Sequence, residues 1–389
     1  MRIGLFTDAY LPDINGVVSS VATLKHALEE LGHTVFIITN HKGTKIVEDE
    51  DGHILRLPGF EIKKFYGYKM SSPLQFSADA YIERMDLDVI HIQTEAGVGM
   101  FGRQMAKVLH IPIVYTYHTM YEDYTHYFNP LDFDSVEKLG KSVIRTFSRV
   151  MANGSQAVIA PSEKTKQALL QYGVIAPIYI VPTGLDLSEY DRKNLDENRV
   201  QSIREELGFT SEDRIVVFVG RIAKEKAIEI PIEAISKNAD PHLHLVIVGG
   251  GTDMEYYQDL AKKYNVSDRV HFTGKIPKEN IAYYYAAFDC FVSASLSETQ
   301  GMTYIEALAS GLLVFGRRDE GLKDLVDEGK SGYYFDDANE LSQKWDAFFS
   351  KSKEERDALR DYCVSKTAPY TESMFAHKAL SVYNQAIDD

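Results

Sequence analysis

The chain has 389 residues, too many for one ordinary hydrophobic core, so we expect two domains. Apolar residues make up 44% and charged residues 25%, and no run approaches the ~18 apolar residues of a membrane span. The formal net charge of −15 argues against a nucleic-acid partner. Cys290 and Cys363 are the two cysteines and stand in no metal-ligand or redox spacing, which predicts reduced thiols in a cytoplasmic protein.

The negative charge is unevenly distributed. Residues 1–185 contain 17 basic and 20 acidic side chains, a net charge of −3, whereas the remainder contains 25 and 37, a net charge of −12. An anionic surface would repel the second half much more strongly than the first.

Strand-like apolar runs alternate with helical patterns along the whole chain, which is typical of parallel α/β sheets. In the first half the predicted strands are 2–7, 35–39, 89–93, 113–117, 157–161 and 178–182. Between the first two, apolar residues at helical spacing predict a helix over 18–31 that ends at Gly32. A second series begins at 214–220 and continues through 243–249, 270–273, 288–294 and 312–315.

Two such series predict an α/β fold class with two Rossmann-like, doubly wound parallel-sheet domains. A ligand cleft would lie between them, at the C-terminal ends of the strands. We place the first domain at 1–185 and the second at 186–371, because Pro182 and Gly184 mark a connection. A C-terminal helix at about 372–389 is predicted to pack back on the first domain.

The segment 297–306 is the most informative in the sequence. Glu298 and Glu306 follow a buried strand and bracket the start of a predicted helix. The backbone N–H groups of Gln300, Gly301 and Met302 would lie at that helix N-terminus, where a pyrophosphate could bind. Glu298 could accept hydrogen bonds from sugar hydroxyls, and Glu306 could bind both hydroxyls of a ribose.

The second informative segment is 220–226, directly after the first strand of the second series. Arg221 and Lys226 would bring two cations to the phosphate position, where they would neutralise charge that builds up on a leaving diphosphate.

These two segments resemble the Gly-Arg…Glu-Lys and Glu-x7-Glu signatures of glycosyltransferase family 4, a large retaining family with the GT-B fold. The likeness covers nearly the whole chain, including residues 15–18 after the first strand and His118 after the 113–117 strand. Two departures are Ala227, where Gly, Asn or Ser is more usual, and Leu313, where the family mostly has Pro.

The resemblance implies a UDP-sugar donor and a role for each motif residue. Gly16 would lie close to the donor phosphates, Arg221 and Lys226 would hold the diphosphate, and Glu306 would bind the ribose. Glu298 would contact the transferred hexose, and His118 would lie beside the reacting sugar. It also implies that no cofactor or essential metal is needed and that the leaving phosphate accepts the proton of the acceptor hydroxyl.

The run 117–128 contains two histidines and four tyrosines directly after a predicted strand end. Tyr121, Tyr124 and His126 are therefore candidate acceptor-binding residues. With residues 8–12, this run resembles the subgroup of the family that transfers glucose from UDP-glucose to diacylglycerol.

A predicted helix beyond this run is basic and amphipathic. Lys138, Lys141, Arg145 and Arg149 recur at near-helical spacing, offset from Leu139, Val143, Phe147 and Val150, as in helices that lie on anionic lipid. A second cluster, 60–70, mixes cations with aromatic residues. Together they predict a peripheral protein on the inner face of the plasma membrane.

Three alternatives stay open at this point. The same chemistry could serve a glycolipid, a phosphoinositide or a soluble sugar. The chain could also be a non-catalytic nucleotide-sugar sensor, although a sensor would not need transition-state cations. A dinucleotide oxidoreductase is disfavoured because no G-x-G-x-x-G follows the first strand, and the three glycines 249–251 end a later strand.

Overall fold

A computed structural model describes residues 1–13, 15–62, 68–118, 120, 134–296 and 298–388, with the backbone alone at 62, 68 and 134–139. The chain divides into two compact units. The first combines Met1–Leu185 with Tyr370–Asp389, and the second is Asp186–Pro369. The predicted fold class is confirmed, because each unit is an α/β domain built on a mainly parallel sheet.

The first domain holds a nine-stranded sheet within its described residues. In chain order its strands are β1 (Arg2–Phe6), β2 (Thr34–Lys42), β3 (Val47–Glu48), β4 (Ile54–Ile62), β5 (Tyr68–Ser71), β6 (Val89–Ile92), β7 (Ile113–Thr116), β8 (Ala157–Ala160) and β9 (Ile178–Ile180). The spatial order is β3-β4-β2-β1-β6-β7-β8-β9, and β5 pairs with β4. The ladders of β4 with β3 and β5 are antiparallel, and the others are parallel.

Side chains alternate across this sheet and build one core on each face. Ile3 and Leu5 of β1 belong to one core and Phe6 to the other. The helices that cover the sheet are α1 (Gly16–Glu30), α2 (Asp79–Met85), α3 (Gly97–Leu109), α4 (Asp134–Asn153) and α5 (Glu163–Gln171). Of the described helices, none has both the length and the apolar character needed to cross a bilayer.

The second domain holds a six-stranded parallel sheet in the order β12-β11-β10-β13-β14-β15, as far as its residues are described. Its strands are β10 (Arg214–Val219), β11 (Leu243–Val248), β12 (Val270–Gly274), β13 (Cys290–Ser293), β14 (Leu313–Arg317) and β15 (Gly332–Phe335). Its helices are α6 (Glu197–Glu206), α7 (Glu229–Lys237), α8 (Met254–Lys263), α9 (Lys278–Ala287), α10 (Met302–Ala309), α11 (Ala338–Phe349) and α12 (Lys353–Ser365). Cys290 and Cys363 are buried free thiols, and burial raises the pKa of both.

The last helix, α13 (Glu372–Asp388), returns to the first domain. Its Phe375, Ala379 and Tyr383 are buried in the same core as Ile3 and Leu5. The fully buried Tyr383 places a polar hydroxyl inside that core, where it bonds to His91.

The three glycines 249–251 serve close backbone packing in the second domain. A Cβ on Gly249 would lie 1.9 Å from the carbonyl oxygen of Gly220, and one on Gly251 would lie 1.8 Å from that of Ile222. Gly220 N–H donates to Val248 O over 3.0 Å, and Ile222 N–H donates to Gly250 O over the same distance. The missing side chains therefore let the loop after β11 hold the loop after β10 at the carboxyl edge of the sheet.

The backbone conformation at Ala227, one of the two departures from the family pattern, shows why Gly or Asn is more usual there. Ala227 follows a 3₁₀ turn, Lys224–Lys226, and adopts φ 48° and ψ 42°, the left-handed region that favours Gly and Asn. Replacing Ala227 with Gly should relieve the clash of its Cβ and stabilise the second domain by about 0.5–1 kcal/mol. For a domain of this size the expected rise in Tm is about 1–4 °C, measured by thermal unfolding.

Asn265→Gly is the matched control, because Asn265 has φ 56° but tolerates the left-handed region better than Ala does. The rise in Tm of the Asn265→Gly variant should be clearly smaller than that of Ala227→Gly. An Ala227→Gly variant no more stable than wild type would mean that the turn carries no such strain.

Candidate functional site

Arg221 lies in the loop directly after β10. Its guanidinium is 46% exposed and donates to the buried carboxylate of Glu225 over 2.5 Å, so the arginine is oriented before any ligand arrives. Glu225 stands four residues further along and anchors this cation without neutralising its exposed N–H groups.

Lys226 and Glu298 come together from two different loops. The Nζ atom of Lys226 lies 2.6 Å from Oε1 of Glu298, and the two side chains are 19% and 16% exposed. The ion pair joins the loop after β10 to the loop after β13, its central neighbour in the sheet. A lysine ammonium has three donors, so Lys226 can hold Glu298 and a ligand phosphate at once.

The helix N-terminus expected after Glu298 is the start of α10. Gly301 adopts φ 77° as its N-cap, Gln300 is buried, and Met302 opens the helix. The hydroxyl of Tyr304 donates to the carbonyl of Ser293 over 2.8 Å, which fixes α10 against the end of β13. The positive end of the helix dipole therefore lies at the carboxyl edge of the sheet, as an anion site requires.

Glu306 is partly exposed, and two tyrosines hold its carboxylate. The hydroxyl of Tyr285 donates to its Oε2 over 2.9 Å, and Tyr190 also bonds to it. Burial raises the pKa of Glu306 to about 7, although both tyrosines and, more weakly, Lys278 oppose that rise. The carboxylate is already held in one orientation on α10, with its charge incompletely compensated.

In the first domain, His118 lies two residues beyond β7 and is partly buried. Its Nε2 lies 2.7 Å from Oε1 of Gln93, which follows β6, and burial lowers the pKa of His118 to about 4. Gly16 opens α1, whose N-cap Asn15 accepts from Val18 N–H over 3.0 Å. A Cβ on Gly16 would meet no atom within 4 Å, so internal packing does not require glycine there.

The acceptor-side predictions fall partly outside the described residues. Tyr121, Tyr124 and His126 lie outside them, as do the side chain of Lys138 and residues 63–67 of the second basic cluster. Lys69 of that cluster pairs with Asp13, with 2.8 Å between Nζ and Oδ1.

Unlike the basic face that the sequence predicted, the exposed surface of helix α4 is not simply basic. Val143, Phe147 and Val150 form an exposed apolar stripe at helical spacing. Arg149 is exposed, the exposed Arg145 lies 5.7 Å over the Tyr172 ring, and Lys141 is only partly exposed. The exposed surface of α4 therefore includes an apolar stripe as well as two arginines.

A cavity of about 670 Å³ lies at the opposite edge of the second sheet, where Arg214 and Leu313 begin β10 and β14. Its wall includes Arg204, whose guanidinium donates to the carbonyls of Ala287 and Asp213. Arg204 therefore holds chain segments together. The cavity itself is remote from the motif residues.

Among the described residues, no group of three or more His, Cys, Asp or Glu side chains could hold a metal ion.

Sequence reasoning missed several residues that support the motif side chains. Tyr190 and Tyr285 form hydrogen bonds with Glu306 but come from other segments of the chain. No local sequence pattern predicts these two contacts. Gln93 could have been found, since His91 and Gln93 are two residues apart at a strand end and so share one face.

The pKa of Glu306 predicts how stability depends on pH. The pKa of Glu306 in the folded protein, about 7, exceeds the ordinary value of 4.5 for a glutamate. The stability that this group contributes is therefore present below pH 4.5 and is lost as pH rises through 7. Glu306→Gln should therefore stabilise the second domain at pH 8, by on the order of 3 kcal/mol at most, and have little effect at pH 4.5. Thermal unfolding at both pH values measures this, with exposed Glu255→Gln as control. An equal shift in Tm at both pH values would contradict the buried charge.

The sequence matches two family descriptions. Residues 14–189 match "Glycosyltransferase Family 4", and residues 200–363 match "Glycosyl transferases group 1". The α-monoglucosyldiacylglycerol synthase of Acholeplasma laidlawii is 32% identical over 395 residues, covering 100% of this chain and 98% of that enzyme. The enzyme of the same name from Streptococcus pneumoniae is 34% identical, covering 86% of this chain and 75% of its own length.

The fold of this chain is also similar to that of a solved structure. The Anabaena protein HepE in complex with UDP-glucose superposes with a TM-score of 0.72 at 16% identity, covering 98% of this chain and 99% of that one. At that identity the likeness establishes the fold alone. The relative that matches over its full length, the two family regions and the two α/β domains together establish that this chain belongs to glycosyltransferase family 4 and has the GT-B fold.

Proposed function

We propose that the protein transfers glucose from UDP-glucose to diacylglycerol with retention of configuration, producing α-monoglucosyldiacylglycerol. The observation that carries the proposal is the Lys226–Glu298 ion pair beside the N-terminus of α10, which joins a phosphate-binding cation to a sugar-binding carboxylate. The names of the two relatives support the acceptor. The UDP-glucose bound by HepE is consistent with the donor.

In this proposal each motif residue of the second domain has one task. Arg221, Lys226 and the backbone N–H groups of 300–302 bind the diphosphate and stabilise the charge that develops as it leaves. Glu298 accepts hydrogen bonds from glucose hydroxyls. Glu306, held by its two tyrosines, accepts hydrogen bonds from the ribose diol, and that contact favours its ionised form.

The reaction requires no covalent bond to the protein. The bond between glucose C1 and the β-phosphate oxygen breaks, and the acceptor hydroxyl oxygen forms a new bond to C1 on the same face. The acceptor proton passes to the departing β-phosphate, so the products are UDP and the glucolipid. The helix dipole and the two cations do the work that a metal would otherwise do, and we propose no essential metal.

The first domain contributes Gly16 and His118. Since the structure has open space beside Gly16, we propose that its missing side chain serves close approach of the donor phosphates. His118 has a low pKa and is neutral at pH 7, so we assign it hydrogen bonding to the transferred sugar rather than proton transfer.

The direct test is a transfer assay. The protein is incubated with UDP-glucose carrying labelled glucose and with vesicles that contain diacylglycerol, in the presence of EDTA. Label should enter the organic phase, and NMR of the product should give an α-anomeric linkage. GDP-mannose serves as the competing donor and a soluble sugar as the competing acceptor. Transfer to the soluble sugar alone would overturn the lipid acceptor, and UDP binding without any transfer would favour a sensor.

Variants tie this activity to the described site. Arg221→Ala and Lys226→Ala should each lower turnover on the order of 10²–10³-fold. Lys226→Ala also removes the ion-pair partner of a largely buried carboxylate and should cost about 1–3 kcal/mol. The double variant Lys226→Met/Glu298→Gln should regain stability without regaining activity. Activity above half of wild type in either single variant would refute the phosphate site.

A lipid acceptor requires access to a membrane surface, and α4 is our candidate for that contact. The backbone N–H of Ile175 donates to Oδ1 of Asn153, the last residue of α4, over 2.8 Å. This contact places Ile175, which is 87% exposed, beside the C-terminal end of α4. A helix that exposes both apolar side chains and arginines suits the interface of an anionic bilayer.

Vesicle co-sedimentation tests the two parts of this surface separately. Changing Val143, Phe147 and Val150 to Ser should weaken binding equally at low and high salt, because apolar burial is not screened. Changing the four cations to Gln should weaken it up to about 1,000-fold at low salt, at roughly 1 kcal/mol for each charge, and much less at high salt. The four cations are Lys138, Lys141, Arg145 and Arg149.

The control changes four exposed lysines of the second domain to Gln and should bind as wild type does. These are Lys262, Lys263, Lys323 and Lys353. If both α4 variants still sediment with phosphatidylglycerol vesicles as wild type does, α4 is not the membrane surface.

A further inference from the structure

A chain of polar side chains runs through the first domain from α13 to His118. The hydroxyl of Tyr383 lies 2.7 Å from Nδ1 of His91, whose Nε2 lies 2.6 Å from the hydroxyl of Thr116. Nε2 of Gln93 lies 3.1 Å from the same Nδ1, and Oε1 of Gln93 lies 2.7 Å from Nε2 of His118. All of these except His118 are buried.

Donor and acceptor rules fix where the protons lie. The Gln93 amide nitrogen can only donate, so Nδ1 of His91 must accept, and the proton of His91 lies on Nε2, which donates to Thr116. The Gln93 carbonyl oxygen can only accept, so Nε2 of His118 must carry a proton and donate it. A neutral His118 then has an unprotonated Nδ1 with a lone pair.

We propose that Gln93 is a positioning residue, which holds the His118 ring with its proton on Nε2 so that Nδ1 accepts a hydrogen bond from a hydroxyl of the transferred sugar. This inference rests on the proposed function, because His118 is given a sugar to bind there. The residues that hold Gln93 come from distant parts of the sequence. Tyr383 on the last helix and Thr116 on β7 hold His91, and His91 in turn holds Gln93.

The electrostatic surroundings agree with a neutral histidine pair. Burial, and to a smaller extent the nearby His118, lower the pKa of His91 to about 3. Burial likewise lowers the pKa of His118 to about 4. Two buried carboxylates lie near the ends of the same strands: Asp8 accepts from Thr94 and from Val98 N–H, and Glu95 accepts from the hydroxyl of Tyr115.

The wild-type protein can be tested without any assay of activity. Histidine-selective ¹⁵N labelling distinguishes the two neutral tautomers, and the His118 signal is assigned as the one that disappears in His118→Gln. The expected result at pH 7.5 is a neutral ring with the proton on Nε2. A proton on Nδ1 would mean that the Gln93 amide faces the other way, and the inference would be wrong.

The variant Gln93→Glu supplies the functional readout. A carboxylate still accepts from Nε2 but adds a negative charge beside the ring, so the pKa of His118 should rise by more than about 1 unit. Protonation of Nδ1 would then remove the acceptor. A rise of about 2 units would bring the pKa of His118 from about 4 to about 6. Between pH 8 and pH 5.5, kcat/KM of the variant should then fall about 4-fold beyond any fall in wild type.

The matched control is Gln75→Glu. Gln75 is buried in the same domain and donates to Ser72 O over 3.1 Å, so this change also buries a carboxylate but leaves the pH profile of wild type. If Gln93→Glu shows the control's profile and an unchanged pKa of His118, Gln93 has only a structural role. If wild type transfers no glucose at all, the proposed function fails, whereas the tautomer measurement still decides the role of Gln93.

Discussion

The Lys226–Glu298 ion pair is the interaction on which the candidate donor site depends. Two largely buried opposite charges are 2.6 Å apart, and each comes from a loop that leaves the carboxyl edge of the second sheet. Removing either partner would leave the other charge less well compensated in largely buried surroundings. The pair therefore keeps the loop after β10 beside the start of α10, where the Tyr304–Ser293 hydrogen bond also holds the helix. Because backbone and side chains are already in place, a bound diphosphate would meet oriented donors rather than having to order them.

In the first domain, hydrogen bonds between uncharged side chains hold His118 in place before a ligand binds. His91, Gln93 and Thr116 lie at the ends of adjacent parallel strands, and their bonds run from Tyr383 of the last helix to His118. The return of α13 to this domain thus does more than bury Phe375 and Ala379, since it also supplies one end of a polar network. Low pKa values keep both histidines neutral near pH 7, which suits a role in binding rather than in proton transfer.

The sequence predicted most strands of both sheets to within a few residues, because buried parallel strands are continuous apolar runs. It missed β4, which contains Pro58 and Gly59, residues that normally argue against a strand, and the short strands β3, β5 and β15. It also identified the motif residues but not their partners. The pairing of Lys226 with Glu298 joins positions 72 residues apart, and Tyr285 meets Glu306 only once the chain is folded. Spacing reports neighbours along one helix or strand, whereas these contacts depend on the order of strands in the sheet.

The central claim is that the second domain binds a nucleoside diphosphate at the start of α10, and a crystal structure of the protein with UDP tests it most directly. The account predicts the β-phosphate about 3 Å from Nζ of Lys226 and from the backbone nitrogen of Met302, with the ribose hydroxyls at the Glu306 carboxylate. UDP bound elsewhere in this domain, with the Lys226–Glu298 pair untouched and Glu306 still enclosed by its two tyrosines, would contradict it.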